Sequence, residues 1–170
     1  SSDLGVYEDC YRLELDALLD LYSQLDSKID ELESQITEII ESLNPPTLSI
    51  KGVGAVSAAI IISELGDISR FKTPDKVLSF AGLEPGFFQS GTIEYNGHMV
   101  KHGSAPLRCA LMNCSRSIRL HNETFATYYQ KKINEGKPHY VALSHVAKKL
   151  VRLIFALETK GDRFDPSRLR

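Results

Sequence analysis

Lys51-Gly52-Val53-Gly54 is the stretch of this 170-residue chain whose residue types and spacing best suit a chemistry, the holding of an anion. Leu48, Ser49 and Ile50 form a short apolar turn before it, and Ala55 to Leu65 form a helix of small and β-branched residues after it. Two glycines around one apolar residue permit a tight turn whose backbone N–H groups point outward at a helix start. Such a place binds phosphate without side-chain charge. This is the pattern of a helix-hairpin-helix motif over residues 48–65, which grips a nucleic-acid backbone irrespective of sequence. Ile50, Val53, Ala58 and Ile61 flank the glycines as that motif requires. A Gly-rich turn between two packed helices is the plainer alternative. A Walker loop is excluded, because Lys and Ser/Thr do not follow the second glycine at the required spacing.

The second chemical signal is charge. Residues 1–44 hold twelve acids and two bases (Arg12, Lys28), whereas residues 45–170 hold ten acids and eighteen bases. Residues 96–170 alone carry fourteen bases against five acids. The overall charge of −2 therefore conceals two halves with different work. In the basic half His145, Lys148, Lys149 and Arg152 lie at i, i+3, i+4 and i+7 of one helix and are expected on one face. Arg108, Arg116 and Arg119 lie on another. With Lys51 and Lys101 these make an electrostatic footprint for a phosphate backbone, against the bland reading of a solvated surface. The bases expected at nucleic acid are Lys51, Lys101, Arg108, Arg116, Lys148, Lys149 and Arg152, with Gly52, Val53 and Gly54 contributing backbone. His98, His102, His121, His139 and His145 lack metal-ligand spacing. Cys10, Cys109 and Cys114 make neither an even disulfide set nor a Cys-x-x-Cys, so a reduced, cytoplasmic setting is expected.

The elements that position these groups follow from periodicity. Between Leu4 and Leu43 the apolar residues fall on two seven-residue series, Leu4, Tyr11, Leu18, Leu25, Leu32, Ile39 and Leu15, Tyr22, Ile29, Ile36, Leu43. The second trails the first by four residues, the d-to-a spacing of a heptad, and a strict 3.5-residue repeat demands a partner helix. Ile at a with Leu at d favours two strands, acids around the seam repel like copies, and parallel and antiparallel pairing both remain open. A long helix folded back on its own chain is the alternative. Asn44-Pro45-Pro46 ends the helix and marks the boundary of a coiled-coil element, 1–44, and a helical domain, 45–170.

Within that domain Thr73-Pro74 opens a short helix, with Thr73 as cap, that ends near Ala81-Gly82. Phe87 to His98 form an irregular or β-hairpin excursion with an Asn96-Gly97 turn. Ser104 caps a helix running to about Leu120. Helices then cover roughly Glu123–Glu135 and His139–Thr159, the last with a buried stripe of Val141, Val146, Leu150, Leu153, Ile154 and Leu157. The fold class is mainly α. No run of 18 uncharged apolar residues is present, so no membrane span is expected. Ser1-Ser2-Asp3 opens without Met and without signal-peptide character, which reads as a fragment or a processed chain.

Five stretches in one order resemble a known family. Ile50-Lys51-Gly52-Val53-Gly54 through Glu64-Leu65-Gly66-Asp67-Ile68-Ser69-Arg70-Phe71, then Phe80-Ala81-Gly82-Leu83-Glu84-Pro85, Gln89-Ser90-Gly91, Lys101-His102-Gly103 and Leu107-Arg108 look like the C-terminal domain of bacterial insertion-sequence transposases of the DEDD type. These are the insertion-sequence 110/1111 group, also called Piv-like or bridge-RNA-guided recombinases. The resemblance covers about residues 48–166, and the coil resembles the helical linker of that group.

The resemblance implies a RuvC-like half, absent from this chain, that holds Mg²⁺ on its DEDD carboxylates; no cofactor is expected in the residues at hand. It also implies a serine nucleophile that attacks a DNA phosphodiester, and by position in the motif that serine is Ser90. On its own Ser90 reads as a loop serine before a glycine, with no His-Asp partner evident to activate it. The implied partners are double-stranded DNA, a second copy through the coil and, as an open question, a guide RNA, in a cytoplasmic, nucleoid-associated setting. By itself the chain is expected to be inert. Departures are plain: Thr92-Ile93-Glu94-Tyr95 replaces the usual basic run after Ser-Gly, Ser104 stands where Asn is common, and Cys109 where a second Arg is common. A non-enzymatic DNA-binding module and a pure oligomerisation scaffold are the competing readings.

Overall fold

A computed structural model describes residues 2–90, 93–99 and 102–168. The chain divides into two compact units, residues 1–38 and 39–170. A single helix, α1 (Ser2–Leu43), makes up the first and runs on into the second.

In the first unit the heptad seams are on the outside. Leu15, Leu18, Tyr22, Leu25, Ile29 and Leu32 are all exposed, Leu25 at 56%. Local polar contacts are confined to one turn each, as in Lys28 Nζ donating to Glu31 Oε2 at 2.7 Å and Thr37 Oγ1 donating to the Glu33 carbonyl at 2.8 Å. The helix stops where the two prolines require it. Asn44 adopts a left-handed conformation (φ 48°), its N–H bonding to the Ile40 carbonyl at 2.8 Å, and Pro46 opens a 3-10 turn over Pro46–Ser49.

The second unit is a helical domain. Its elements are α2 (Ala55–Leu65), α3 (Pro74–Phe80), the strands β1 (Pro85–Ser90) and β2 (Ile93–Met99), α4 (Ala105–His121), α5 (Glu123–Asn134) and α6 (His139–Lys160). Helix α4 packs on α2, α5 and α6, and α6 also meets α3. Their shared core includes the fully buried Phe125, Ile50, Ile61, Leu83, Leu107, Leu111, Ile118, Leu150 and Ile154. Burying each such side chain is worth about 1.5–3 kcal/mol. Ile40, at the end of α1, belongs to this core.

Three polar links fix the domain's corners. Glu158 Oε1 on α6 accepts from the N–H (2.8 Å) and the hydroxyl (2.6 Å) of buried Thr47. Ser104 caps α4 by accepting from the Leu107 N–H at 3.1 Å and donates to Glu64 Oε2 at 2.7 Å. Asn122 ends α4 and caps α5 through Phe125 N–H at 3.3 Å.

The excursion is a two-stranded antiparallel ribbon, with Ser90 opposite Ile93 and Phe87 opposite Asn96. Three local expectations need correction. Asn96-Gly97 makes no turn: it lies within β2, with Asn96 paired to Phe87, beside the register shift opposite Pro85–Phe87, an irregularity that glycine suits as well as it suits a turn. Thr73 sits at the N-cap of α3, but its hydroxyl makes no capping bond. Val141 is exposed rather than part of the buried stripe, and Leu153 is only half-buried. Because α3, α4 and α5 all pack on α6, Ala142, Leu143, Ala147 and Val151 are buried too, and a single stripe is too narrow a description.

Candidate nucleic-acid interface

The Lys51–Gly54 turn is built by backbone bonds and by one steric demand. Ile50 N–H bonds to the Thr47 carbonyl and Val53 N–H to the Ile50 carbonyl, at 3.2 and 2.9 Å. Ile50 and Val53 are buried, so the turn is nailed to the core by its apolar residues while Lys51 and Gly54 face solvent. The two glycines have different duties. Gly52 has φ 102°, and a Cβ there would come within 2.7 Å of the Ile118 Cα on α4. Gly54 has an ordinary extended backbone (φ −78°) and nothing within 4 Å of where a Cβ would stand. Gly52 is therefore needed by the fold, and Gly54 leaves open space at the start of α2. No side chain caps α2 there, and its first turn carries no acid. Lys51 borders a surface depression with His121, Asn122, Thr124 and Phe164.

The remaining bases fall into separate settings. Arg108 is half-buried and donates to the Ala81 carbonyl at 3.1 Å, which ties α4 to the end of α3. Arg116 is exposed, donates to Asn113 Oδ1 at 3.1 Å, and lies 5.8 Å from the Tyr140 ring centroid. The i, i+3, i+4, i+7 face of α6 is split by its neighbours. The Lys149 ammonium lies over the rings of Tyr128 (5.0 Å) and Phe125 (5.6 Å) on α5, whereas Arg152 pairs with Asp75 on α3 at 3.3 Å. That last pair is exposed, and its contribution to stability is about 0–1 kcal/mol. Lys101 lies outside the described residues. Ser90 is the last residue of β1.

The field around α6 is positive. Partial burial first, and then Lys148, Lys132 and Lys137, hold the His145 imidazole below its ordinary value, with Glu135 opposing. Lys148 is likewise lowered by burial and by Arg152, with Glu84 opposing. Helix α4 contributes three arginines and no acid. Among the described residues no three of His, Cys, Asp or Glu converge on a point where they could hold a metal ion.

Sequence reasoning missed the aromatic partners of these cations. Tyr128 lies under Lys149 and Lys132, and Tyr129 under Arg119 at 4.9 Å. The signal was available: Phe125, Tyr128 and Tyr129 recur at i, i+3 and i+4 on α5 and so share one face.

Comparison with known proteins supplies the family. Residues 47–130, a span that includes the glycine turn, the ribbon and α4, match the model of the Transposase IS116/IS110/IS902 family. The chain is 30% identical to the insertion element IS110 uncharacterized 43.6 kDa protein of Streptomyces coelicolor, over 79% of this chain and 34% of that protein. It is 28% identical to the insertion element IS900 uncharacterized 42 kDa protein of Mycobacterium paratuberculosis, over 78% and 34%. It is 27% identical to the transposase for insertion sequence element IS1111A of Coxiella burnetii, over 85% and 42%. The chain spans about a third of the length of the first two relatives. It belongs to the IS116/IS110/IS902 family of insertion-sequence transposases.

Proposed function

We propose that this chain is the DNA-binding and catalytic-accessory part of an insertion-sequence transposase, which holds duplex DNA and donates Ser90 to a composite active site. The observation that carries the reading is the position of Ser90 at the end of β1, inside the matched stretch and between the glycine turn and the acid-free helix α4. Duplex DNA is held by phosphate contacts from the Lys51–Gly54 turn at the start of α2 and from the bases of α4 and α6. Contacts of that kind position a protein and carry no sequence information.

In the reaction Ser90 Oγ attacks a backbone phosphorus. A serine–phosphate ester forms, one strand oxygen leaves as a hydroxyl, and the serine's proton is taken up in the exchange. The Mg²⁺ that the reading calls for would be held by the carboxylates of a RuvC-like half and would activate the serine and offset charge on the phosphate. The exposed heptad seam of α1 is read as the surface by which two copies associate.

Two experiments test this. Fluorescence anisotropy on a labelled duplex across a salt series is expected to show affinity falling steeply with salt, with a slope near −0.9 for each phosphate neutralised. Gly54→Glu, which the fold accommodates, is expected to weaken binding and flatten that slope. An affinity insensitive to salt and to Gly54→Glu would remove the DNA-binding reading. In the full-length transposase Ser90→Ala is expected to abolish covalent protein–DNA adducts on a trapped substrate; adducts that persist would remove Ser90 as nucleophile.

A further inference from the structure

The exposed end of α4 and the start of α6 form a surface different in kind from the phosphate contacts above. Tyr140, the second residue of α6, is 65% exposed and stands in the first, exposed turn of that helix, before its buried stretch begins at Ala142. It is held from below by a chain of ring contacts. His139 meets Tyr140 edge-on at 5.2 Å, and Tyr129 meets His139 at 5.9 Å. The Tyr129 hydroxyl and His139 Nδ1 are hydrogen-bonded at 2.7 Å. Arg119 lies over Tyr129 at 4.9 Å, with its Nε buried and without a hydrogen-bond partner. From α4, Arg116 lies 5.8 Å from the Tyr140 centroid, steadied by Asn113. Leu120, one turn further along α4, is 68% exposed. An aromatic ring, a guanidinium plane and an apolar side chain thus stand together at the surface beside a helix that has no acid.

A duplex presents its phosphates and hides the faces of its bases, so an exposed ring gains little from it. An unpaired base has a free face that stacks on Tyr or on a guanidinium plane, and the neighbouring cations serve its phosphates. Tyrosine suits the task because it offers a large rigid face at the cost of two side-chain torsions. We propose that Tyr140 and Arg116 form a stacking site for an unpaired nucleobase of a single-stranded or looped nucleic acid. The inference rests on the nucleic-acid reading above and adds to it a distinct ligand class, a second role for Arg116, and Tyr140.

The test compares the 170-residue chain and its Tyr140→Leu and Tyr140→Phe variants on three labelled probes: a duplex DNA, a single-stranded DNA and an unstructured RNA of the same length. Tyr140 is exposed, so both variants are expected to melt with the parent. Tyr140→Leu is expected to lose about five- to hundredfold in single-strand affinity. Duplex affinity should stay within twofold, and Tyr140→Phe should retain parental binding. Whichever single strand suffers the larger loss names the source of the base. Equal losses on duplex and single strand, or no loss on either single strand, would overturn the stacking site while leaving the duplex reading in place. Failure of the parent chain to bind any probe would overturn both. Loss of self-association in Tyr140→Leu with single-strand affinity intact would assign the patch to a second copy, its acidic coil included, and overturn the proposal.

Discussion

The two units of this chain use similar apolar residues in opposite ways. In residues 1–38 leucines and isoleucines recur with a period of 3.5, and those from Leu13 to Leu32 are exposed, while in residues 39–170 they recur on several helices and close a core around α4 and α6. The difference lies in geometry rather than composition. One helix offers a single stripe and has nothing of its own to lay it on, whereas the five helices α2–α6 can cover one another. The charges follow suit: acids line the helix that lacks a core, and bases line the domain that has one.

That contrast can be tested at single positions. Phe125→Ala, in the core, is expected to cost the domain about 3–5 kcal/mol in a denaturant titration, while Leu25→Ala in α1 leaves the domain's transition within about 0.5 kcal/mol. A shift of more than 1 kcal/mol from the α1 variant, at matched concentration, would show that the units are not independent. Glu158→Ala strips the buried Thr47 N–H and hydroxyl of their acceptor and is expected to cost about 1–3 kcal/mol. A neutral result would mean that the 3-10 turn at Pro46–Ser49 is held by apolar packing alone.

The glycine turn repeats the contrast on a smaller scale. Gly52→Ala, strained at φ 102° and pressed against Ile118, is expected to cost about 1–3 kcal/mol, and Gly54→Ala almost nothing, read from paired melting curves. Equal costs would place both glycines in the core's service.

The smallest effect concerns His145. Its imidazole titrates below 6.5, so between the two values the unfolded chain binds more protons than the folded one. Stability attributable to this group is therefore present above pH 6.5 and is lost as pH falls below it. An NMR titration is expected to place the midpoint below 6.5 and to move it upward when duplex DNA is added, because phosphates oppose the lysine field. A midpoint that stays put in saturating DNA would remove α6 from the interface.

Much of this was legible from residue order. The Asn44-Pro45-Pro46 stop, the Ala55–Leu65 helix and the Ser104 cap all follow from local rules, because each is decided within a few residues, whereas Asn96-Gly97 reads as a turn and lies inside a strand. What was not legible depends on neighbours distant in sequence. Lys148, Lys149 and Arg152 share a helical period, yet α5 aromatics draw Lys149 one way and Asp75 draws Arg152 another. Val141 fits the apolar stripe but lies in the first turn of α6 and is 40% exposed. Gly52 reads as an anion-binding glycine, and only its closeness to α4 shows that the fold itself makes a side chain there costly.

The bond from Thr47 to Glu158 has a consequence for how the chain is made. The two residues are 111 apart, and at about 5–20 residues per second a ribosome needs on the order of ten seconds to follow one with the other. During that interval α1 has already emerged as a complete helix, while the segment beginning at Thr47 still awaits the carboxylate that will secure it. Long-range closure of this kind is slow next to local helix formation. The exposed apolar series of α1 is thus complete before the carboxylate that secures the Pro46–Ser49 turn has been made, so the two units of the chain reach their final form in sequence order.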